Sequence, residues 1–144
     1  MTKKLDILSP EHRSSLMSRI RGKDTGIELT VRYALHSMGL RYRLGGAGLP
    51  GRPDLVFPRY RKVVFVNGCF WHGHTCHLFR LPKTRTYFWE EKIGRNRMRD
   101  ARAVKELKNL GWKPITVWEC QLRGRTFDQK FATLTQLAKD IKLK

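Results

Sequence analysis

Asp54-Leu55-Val56-Phe57-Pro58-Arg59-Tyr60-Arg61-Lys62-Val63-Val64-Phe65-Val66 reads as a β-hairpin. Two apolar runs, rich in β-branched and aromatic residues, flank a connection that opens with a proline. After Lys62 the second run is continuously apolar, the pattern of a central strand covered on both faces. It ends at Asn67-Gly68 and leads straight into Cys69-Phe70-Trp71-His72-Gly73-His74-Thr75-Cys76. A sheet strand therefore delivers a loop crowded with metal-ligating and aromatic side chains.

Upstream, Leu40 to Leu44 is a short strand, followed by a flexible turn region of Gly45, Gly46, Gly48, Pro50 and Gly51. Before it, Ile27, Val31, Ala34, Leu35 and Met38 recur at helical spacing, and Gly39 ends the pattern. Thr25 and Glu28 have the spacing of a capping box. Earlier still, Ser9-Pro10 opens a basic helix to about Gly22, with Leu16, Met17 and Ile20 as its large apolar residues. Downstream, Leu78 to Arg85 is a basic connection. Thr86 to about Leu110 forms one long helix closed by Gly111, apolar at its ends and basic at Arg95, Arg97, Arg99 and Arg102. Lys113 to Trp118 is a third apolar strand ending at Glu119-Cys120. A last helix runs from about Thr126 to Ile141, with Phe131, Leu134, Leu137 and Ile141 facing inward. This order predicts an α/β fold with a small mixed sheet between helices. The 144 residues fit one domain, with 1–24 a basic N-terminal region and 25–144 the core.

Lys plus Arg number 30 against 12 Asp plus Glu, a formal charge of +18. A folded chain with that surplus needs a polyanionic partner, and nucleic acid is the leading one, ahead of an anionic membrane surface. No apolar run reaches the length of a membrane span, and none follows the lysine-bearing start, so neither an anchor nor a secretory signal is expected. Three cysteines fit a reduced compartment and a metal better than a disulfide framework, which points to the cytoplasm.

Cys69, His74, Cys76 and Cys120 supply four soft or borderline ligands, enough to close a tetrahedral zinc shell. His77 competes with His74, and the plain alternative is three buried thiols. A closed shell has no open position, so such a zinc is structural. Asp54 stands at the mouth of the first hairpin strand, beside a Gly/Pro turn, where a nuclease carboxylate would hold Mg²⁺ against a phosphate; a turn aspartate is the ordinary reading. His72 is left over once the zinc is satisfied and is placed to act as a general base. Glu28 could reach the water shell of that Mg²⁺, although the capping box already accounts for it. Phe70, Trp71 and Trp89 could stack on bases, and Met17 and Ile20 could wedge into a minor groove. The arginine run most simply contacts phosphates.

Leu-Pro-Gly-Arg-Pro-Asp at 49–54, Asn-Gly-Cys-Phe-Trp-His-Gly-His-Thr-Cys at 67–76, Thr-Arg-Thr-Tyr-Phe-Trp-Glu-Glu-Lys-Ile-Gly-Arg-Asn at 84–96 and Val-Trp-Glu-Cys at 117–120 resemble the very-short-patch repair endonucleases. So does Met-Ser-Arg-Ile-Arg-Gly-Lys-Asp-Thr at 17–25, with Glu28 close behind. The resemblance runs in order from about 13 to 125. It implies a restriction-endonuclease-like fold with structural Zn²⁺. It also implies a Mg²⁺-dependent enzyme that nicks double-stranded DNA 5′ to the T of a T:G mismatch left by deamination of 5-methylcytosine. By motif, Asp54 matches the metal-binding aspartate, His72 the catalytic histidine, Glu28 an acidic residue in the metal's water shell, and Cys69, His74, Cys76 and Cys120 the zinc ligands. Phe70, Trp71 and Trp89 match aromatics that wedge beside the mismatch, and Met17 and Ile20 match the helix entering from the minor groove. Arg95, Asn96 and Arg97, in the matching helix, are expected on the DNA.

The chain departs from the family pattern at Val66-Asn67, where the family carries Thr-His. The Val66 carbonyl can replace the threonine at Mg²⁺ if that contact is made through the main chain. Asn67 cannot shuttle a proton but can donate a hydrogen bond to a phosphate. Mismatch-repair proteins are further expected partners, and a monomer suffices for a single nick. Two other readings share many of these features: a nuclease acting on normal duplex, and a zinc-stabilised DNA-binding module without activity.

Overall fold

The computed structural model describes residues 11, 26–46 and 48–143. Of the helix expected from Ser9 to about Gly22 only Glu11 is among them; Met17 and Ile20 lie outside, and Thr25 as well. In chain order the elements are α1 (Ile27–Ser37), β1 (Arg43–Leu44), β2 (Leu55–Phe57), β3 (Lys62–Asn67), α2 (Thr86–Asn109), β4 (Lys113–Trp118) and α3 (Phe127–Lys142). The described residues form two compact units. One runs from Arg43 to Cys120; the other joins the residues up to Tyr42 with those from Gln121 onward.

The first unit holds a four-stranded mixed sheet in the order β1-β2-β3-β4. The expected hairpin is present, with Leu55 opposite Val64 and Phe57 opposite Lys62. Its connection is a 3-10 turn at Pro58–Tyr60, and Arg61 turns the chain back in the left-handed region at φ 56°. β4 joins β3 in parallel, from Lys62 opposite Lys113 to Asn67 opposite Trp118. Parallel neighbours need a long crossover, which the 24-residue α2 supplies. Val56, Val63 and Leu107 are buried together, with Leu49, Phe65 and Trp112 packed against them, so α2 closes onto the hairpin through its C-terminal half.

The second unit packs α1 on α3. Thr30, Val31, Ala34 and Leu35 give α1 one buried face. Phe127, Phe131, Leu134, Leu137, Ala138 and Ile141 do the same for α3. Thr126 caps α3: its hydroxyl accepts from the Gln129 N–H at 3.2 Å, and the Gln129 side chain accepts from the Thr126 N–H at 3.0 Å.

Helix ends obey the glycine signals of the sequence. Gly111 sits at φ 91°, with its N–H on the Lys108 carbonyl at 3.0 Å and that of Trp112 on Leu107 at 2.9 Å. This pair of bonds satisfies carbonyls that the helix would otherwise leave bare. Gly39 does the same for α1, with Leu40 donating to Leu35 at 3.0 Å. Two local expectations differ from the structure. The strand expected over 40–44 shrinks to Arg43–Leu44 because Leu40 is committed to this helix cap. The N-cap of α1 is Gly26, without a side-chain cap, so Glu28 is a first-turn residue rather than the partner of a capping box.

Candidate functional site

The parallel pairing of β3 and β4 explains the metal cluster. Both strands end at the same edge, Asn67 beside Trp118. Cys69 and Cys120 each follow two residues later, so cysteines 51 positions apart meet. The Cys69 sulfur accepts from the Cys120 N–H at 3.3 Å, and the Cys69 N–H donates to a Glu119 carboxylate oxygen at 3.2 Å. The loop then folds back, with the His74 N–H on the Cys69 carbonyl at 2.9 Å. Gly73 makes this possible. Its φ is 62°, and a Cβ there would lie 2.8 Å from both Ile93 and Arg97 of α2.

The ligand atoms of Cys69, His74, Cys76 and Cys120 all lie within 4.8 Å of one another. His74 Nδ1 is 3.6 Å from the sulfurs of both Cys69 and Cys120. A tetrahedral site with ordinary zinc bond lengths has a sulfur-to-nitrogen edge of roughly 3.6 Å. The donor set therefore fits a metal ion at its centre. His77 is exposed and is not part of the cluster, which resolves its competition with His74. Burial pushes the Cys69 thiol up to about 12. Burial also raises Cys120, although its contact with Cys69 works the other way. At Cys76 burial is outweighed by the Leu78 N–H and the neighbouring thiols, and the pKa is lowered. Ionising three thiols this close requires a cation, and a divalent ion is the natural one. The Trp118 ring stacks on His74 at 4.0 Å, nearly parallel at 8°, and so fixes the imidazole plane.

Beside the cluster lies a cleft of about 400 Å³ lined by Arg52, Asp54, Val66, Asn67, His72, Asn96, Arg99 and Asp100, among others. Asp54 precedes β2, and its Oδ2 accepts from the Val66 N–H at 2.6 Å. The side chain thus extends the β2–β3 ladder past its last main-chain pair and holds a carboxylate at the sheet edge. His72 lies in the loop between Cys69 and His74. Its Nδ1 is 2.6 Å from Asp100 Oδ2, a short charge-assisted contact. With Asp100 ionised, Nδ1 carries the proton and Nε2 is the basic nitrogen. Asp54, Val66, Asn67 and His72, all singled out in the sequence, thus line one cleft.

Asp100 escaped the sequence reading. On α2 it belongs to the stripe Trp89, Ile93, Asn96, Asp100, Ala103 and Leu107, spaced alternately four and three. Ile93, Ala103 and Leu107 are buried as that spacing requires. Asn96 and Asp100 are polar members of the same stripe, and both serve the site: the Asn96 amide donates to the Trp71 carbonyl at 2.8 Å, and Asp100 holds His72. The break in the stripe was the available signal.

Phe70, Trp71 and Trp89 form a mutual cluster with ring centres 5.2 to 5.7 Å apart. Trp71 is 49% exposed and Phe88 39%, an unusual surface for large aromatics. Arg95 stands 4.0 Å from Glu91, and Arg97 runs alongside Gly73. Glu28 belongs to the other unit and pairs with Arg32, with 3.1 Å from its Oε2 to the guanidinium Nε; its expected role rests on the family resemblance alone. Met17 and Ile20 are outside the described residues.

Residues 5–78 match the family model for DNA mismatch endonuclease Vsr. The chain is 50% identical over 120 residues to the DNA mismatch endonuclease Vsr of Escherichia coli (strain K12), covering 83% of this chain and 77% of that one. It is 51% identical to the type II nicking enzyme V.XorIIP of Xanthomonas oryzae pv. oryzae, covering 81% of this chain and 86% of that protein. With the type II nicking enzyme V.NmeAIP of Neisseria meningitidis it shares 41% identity, over 95% and 96% of the two chains.

Proposed function

The chain belongs to the Vsr family of DNA mismatch endonucleases, and on that premise we propose that it nicks one strand of duplex DNA 5′ to the T of a T:G mismatch. The observation that carries the reading is the single cleft lined by Asp54 and by the His72–Asp100 pair. A carboxylate on a rigid edge and an oriented imidazole are what metal-assisted phosphodiester hydrolysis needs. The type II nicking names of two relatives support a cut in one strand. One site per chain is enough for that, so a monomer suffices.

In the mechanism His72 takes the proton of the attacking water on Nε2, and Asp100 stabilises the imidazolium that forms. Asp100 acts through His72 by fixing its tautomer and its direction. Asp54 and the Val66 carbonyl would hold Mg²⁺. The Val66 N–H already faces Asp54, and in an extended strand the carbonyl of the same residue leaves on the same side. When bound, the ion supplies Lewis-acid stabilisation of the charge that builds on the phosphate. Asn67 lies in the same cleft and would donate to a phosphate oxygen. The Cys₃His donor set suits Zn²⁺, held as a structural brace for the loop that carries His72.

The charge of +18 provides a sequence-independent attraction to DNA. Arg95 and Arg97 would contact phosphates, and Asn96 the DNA beside its loop contact. Phe70, Trp71 and Trp89 would wedge at the mismatch, with Met17 and Ile20 entering from the minor groove. A T:G wobble stacks less well than a T:A pair, so opening it costs less there. Nicking of a strand-labelled T:G duplex with Mg²⁺, beside a T:A control, tests the reading. Equal cutting of both would instead make the protein a nuclease of normal duplex. Tight binding without cutting would make it a DNA-binding module.

A further inference from the structure

Among the described residues three non-glycine residues have positive φ, and all are arginines: Arg52 at 48°, Arg61 at 56° and Arg85 at 56°. Such a backbone is costly for an L-residue with a long side chain, and it persists only where something compensates for it. For two of them the compensation is visible. The Arg61 guanidinium lies 4.3 Å over the Trp112 ring and donates to the Leu110 carbonyl at 2.9 Å. The Arg85 guanidinium lies 4.4 Å over the Phe88 ring. Arg52 has no such contact. It also precedes Pro53, and a residue before proline is restricted to extended conformations, which makes the strain greater.

The side chain instead lines the cleft with Asp54 and His72. The carboxylates of that cleft are already engaged, Asp54 by the Val66 N–H and Asp100 by His72. Among the described residues no hydrogen bond or ion pair engages the guanidinium of Arg52 or of Arg99, its neighbour in the cleft. Strain that places an unpaired, planar cation beside an acid–base pair suits an anionic ligand with two acceptor oxygens on one atom.

We propose that Arg52 is a catalytic residue that binds the non-bridging oxygens of the scissile phosphate, with Arg99 as a second cation on the same group. This rests on the nuclease reading of the cleft and adds to it the residue that stabilises charge as water attacks phosphorus. The guanidinium takes no part in proton transfer, and its contribution grows as charge accumulates on the oxygens it holds.

Arg52→Gly isolates the side chain from the backbone, because glycine adopts this φ without strain. The variant is expected to melt no lower than wild type. Its kcat for nicking a T:G duplex should fall by about 10²-fold or more with KM little changed. The slope of log affinity against log salt, measured without Mg²⁺, should fall by about one. Ethylguanidinium in solution should restore part of the rate, a rescue that a purely structural role would not show. Arg52→Lys keeps the charge and the same backbone demand, and should remain slow because its ammonium lacks the fork. Wild-type nicking rates in Arg52→Gly, or in Arg52→Lys should the glycine variant not fold, would overturn the proposal while leaving the nuclease reading intact. A wild-type protein that cuts no duplex would overturn both.

Discussion

His72 and Asp100 are 28 residues apart in the chain and 2.6 Å apart in space. The histidine could be found from sequence because the four candidate metal ligands leave it over. The aspartate could not, since its neighbours Arg95 to Arg102 read as one basic surface and only α2's approach to the cysteine loop reveals its partner. If Asp100 orients the base, Asp100→Asn keeps the shape but lets Nδ1 act as an acceptor, so the wrong tautomer faces the water. The expected loss in kcat is about 10²- to 10⁴-fold, with DNA affinity held or improved. Rates near wild type would remove Asp100 from the mechanism. Asp54 was legible as a carboxylate at a strand mouth, but its bond to the Val66 N–H required the register of β2 on β3.

At the scale of elements, the hairpin, the long helix and both glycine-terminated helix ends were legible. Each rests on local rules of period and backbone conformation. Leu40 was misread because an apolar residue after a terminating glycine can start a strand or close a helix cap, and only the bond to Leu35 decides. The α2 stripe shows a different limit: Asn96 and Asp100 break the helix pattern where Trp71 and His72 take polar partners. Gly94 is the other irregularity of α2, a mid-helix glycine with nothing within 4 Å of a Cβ built on it. Gly94→Ala should therefore stabilise the protein by about 1 kcal/mol through lost unfolded-state entropy. Thermal melting checks the sign. A gain in melting temperature together with weaker DNA binding would assign the empty space to DNA.

At the scale of the whole molecule, charge and metal dominate. The +18 was legible and points to a polyanion. The cluster was legible as a ligand set, but its closure at Cys120 depended on the parallel pairing of β3 with β4, which no local pattern announces. With Cys69 pushed up to about 12 by burial, and Cys120 also raised, these thiols are protonated near neutrality in the metal-free chain. Metal uptake must displace those protons, so affinity rises with pH through the neutral range and falls as pH drops. Adding Zn²⁺ to chelator-stripped protein should acidify a weakly buffered solution and raise the melting temperature. Cys120→Ser should reduce both effects. Uptake without proton release would contradict the thiolate set.

In the proposed function one cleft, built by Asp54 and His72–Asp100, does the nicking. The direct measurement is Mg²⁺-dependent nicking of strand-labelled duplexes that differ only in T:G or T:A, in several sequence contexts, by wild type and by Asp54→Ala. The expected result is a single nick 5′ to the T in T:G alone, lost in Asp54→Ala while DNA binding persists. Cutting that ignores the mismatch, or that survives the loss of Asp54, would contradict it.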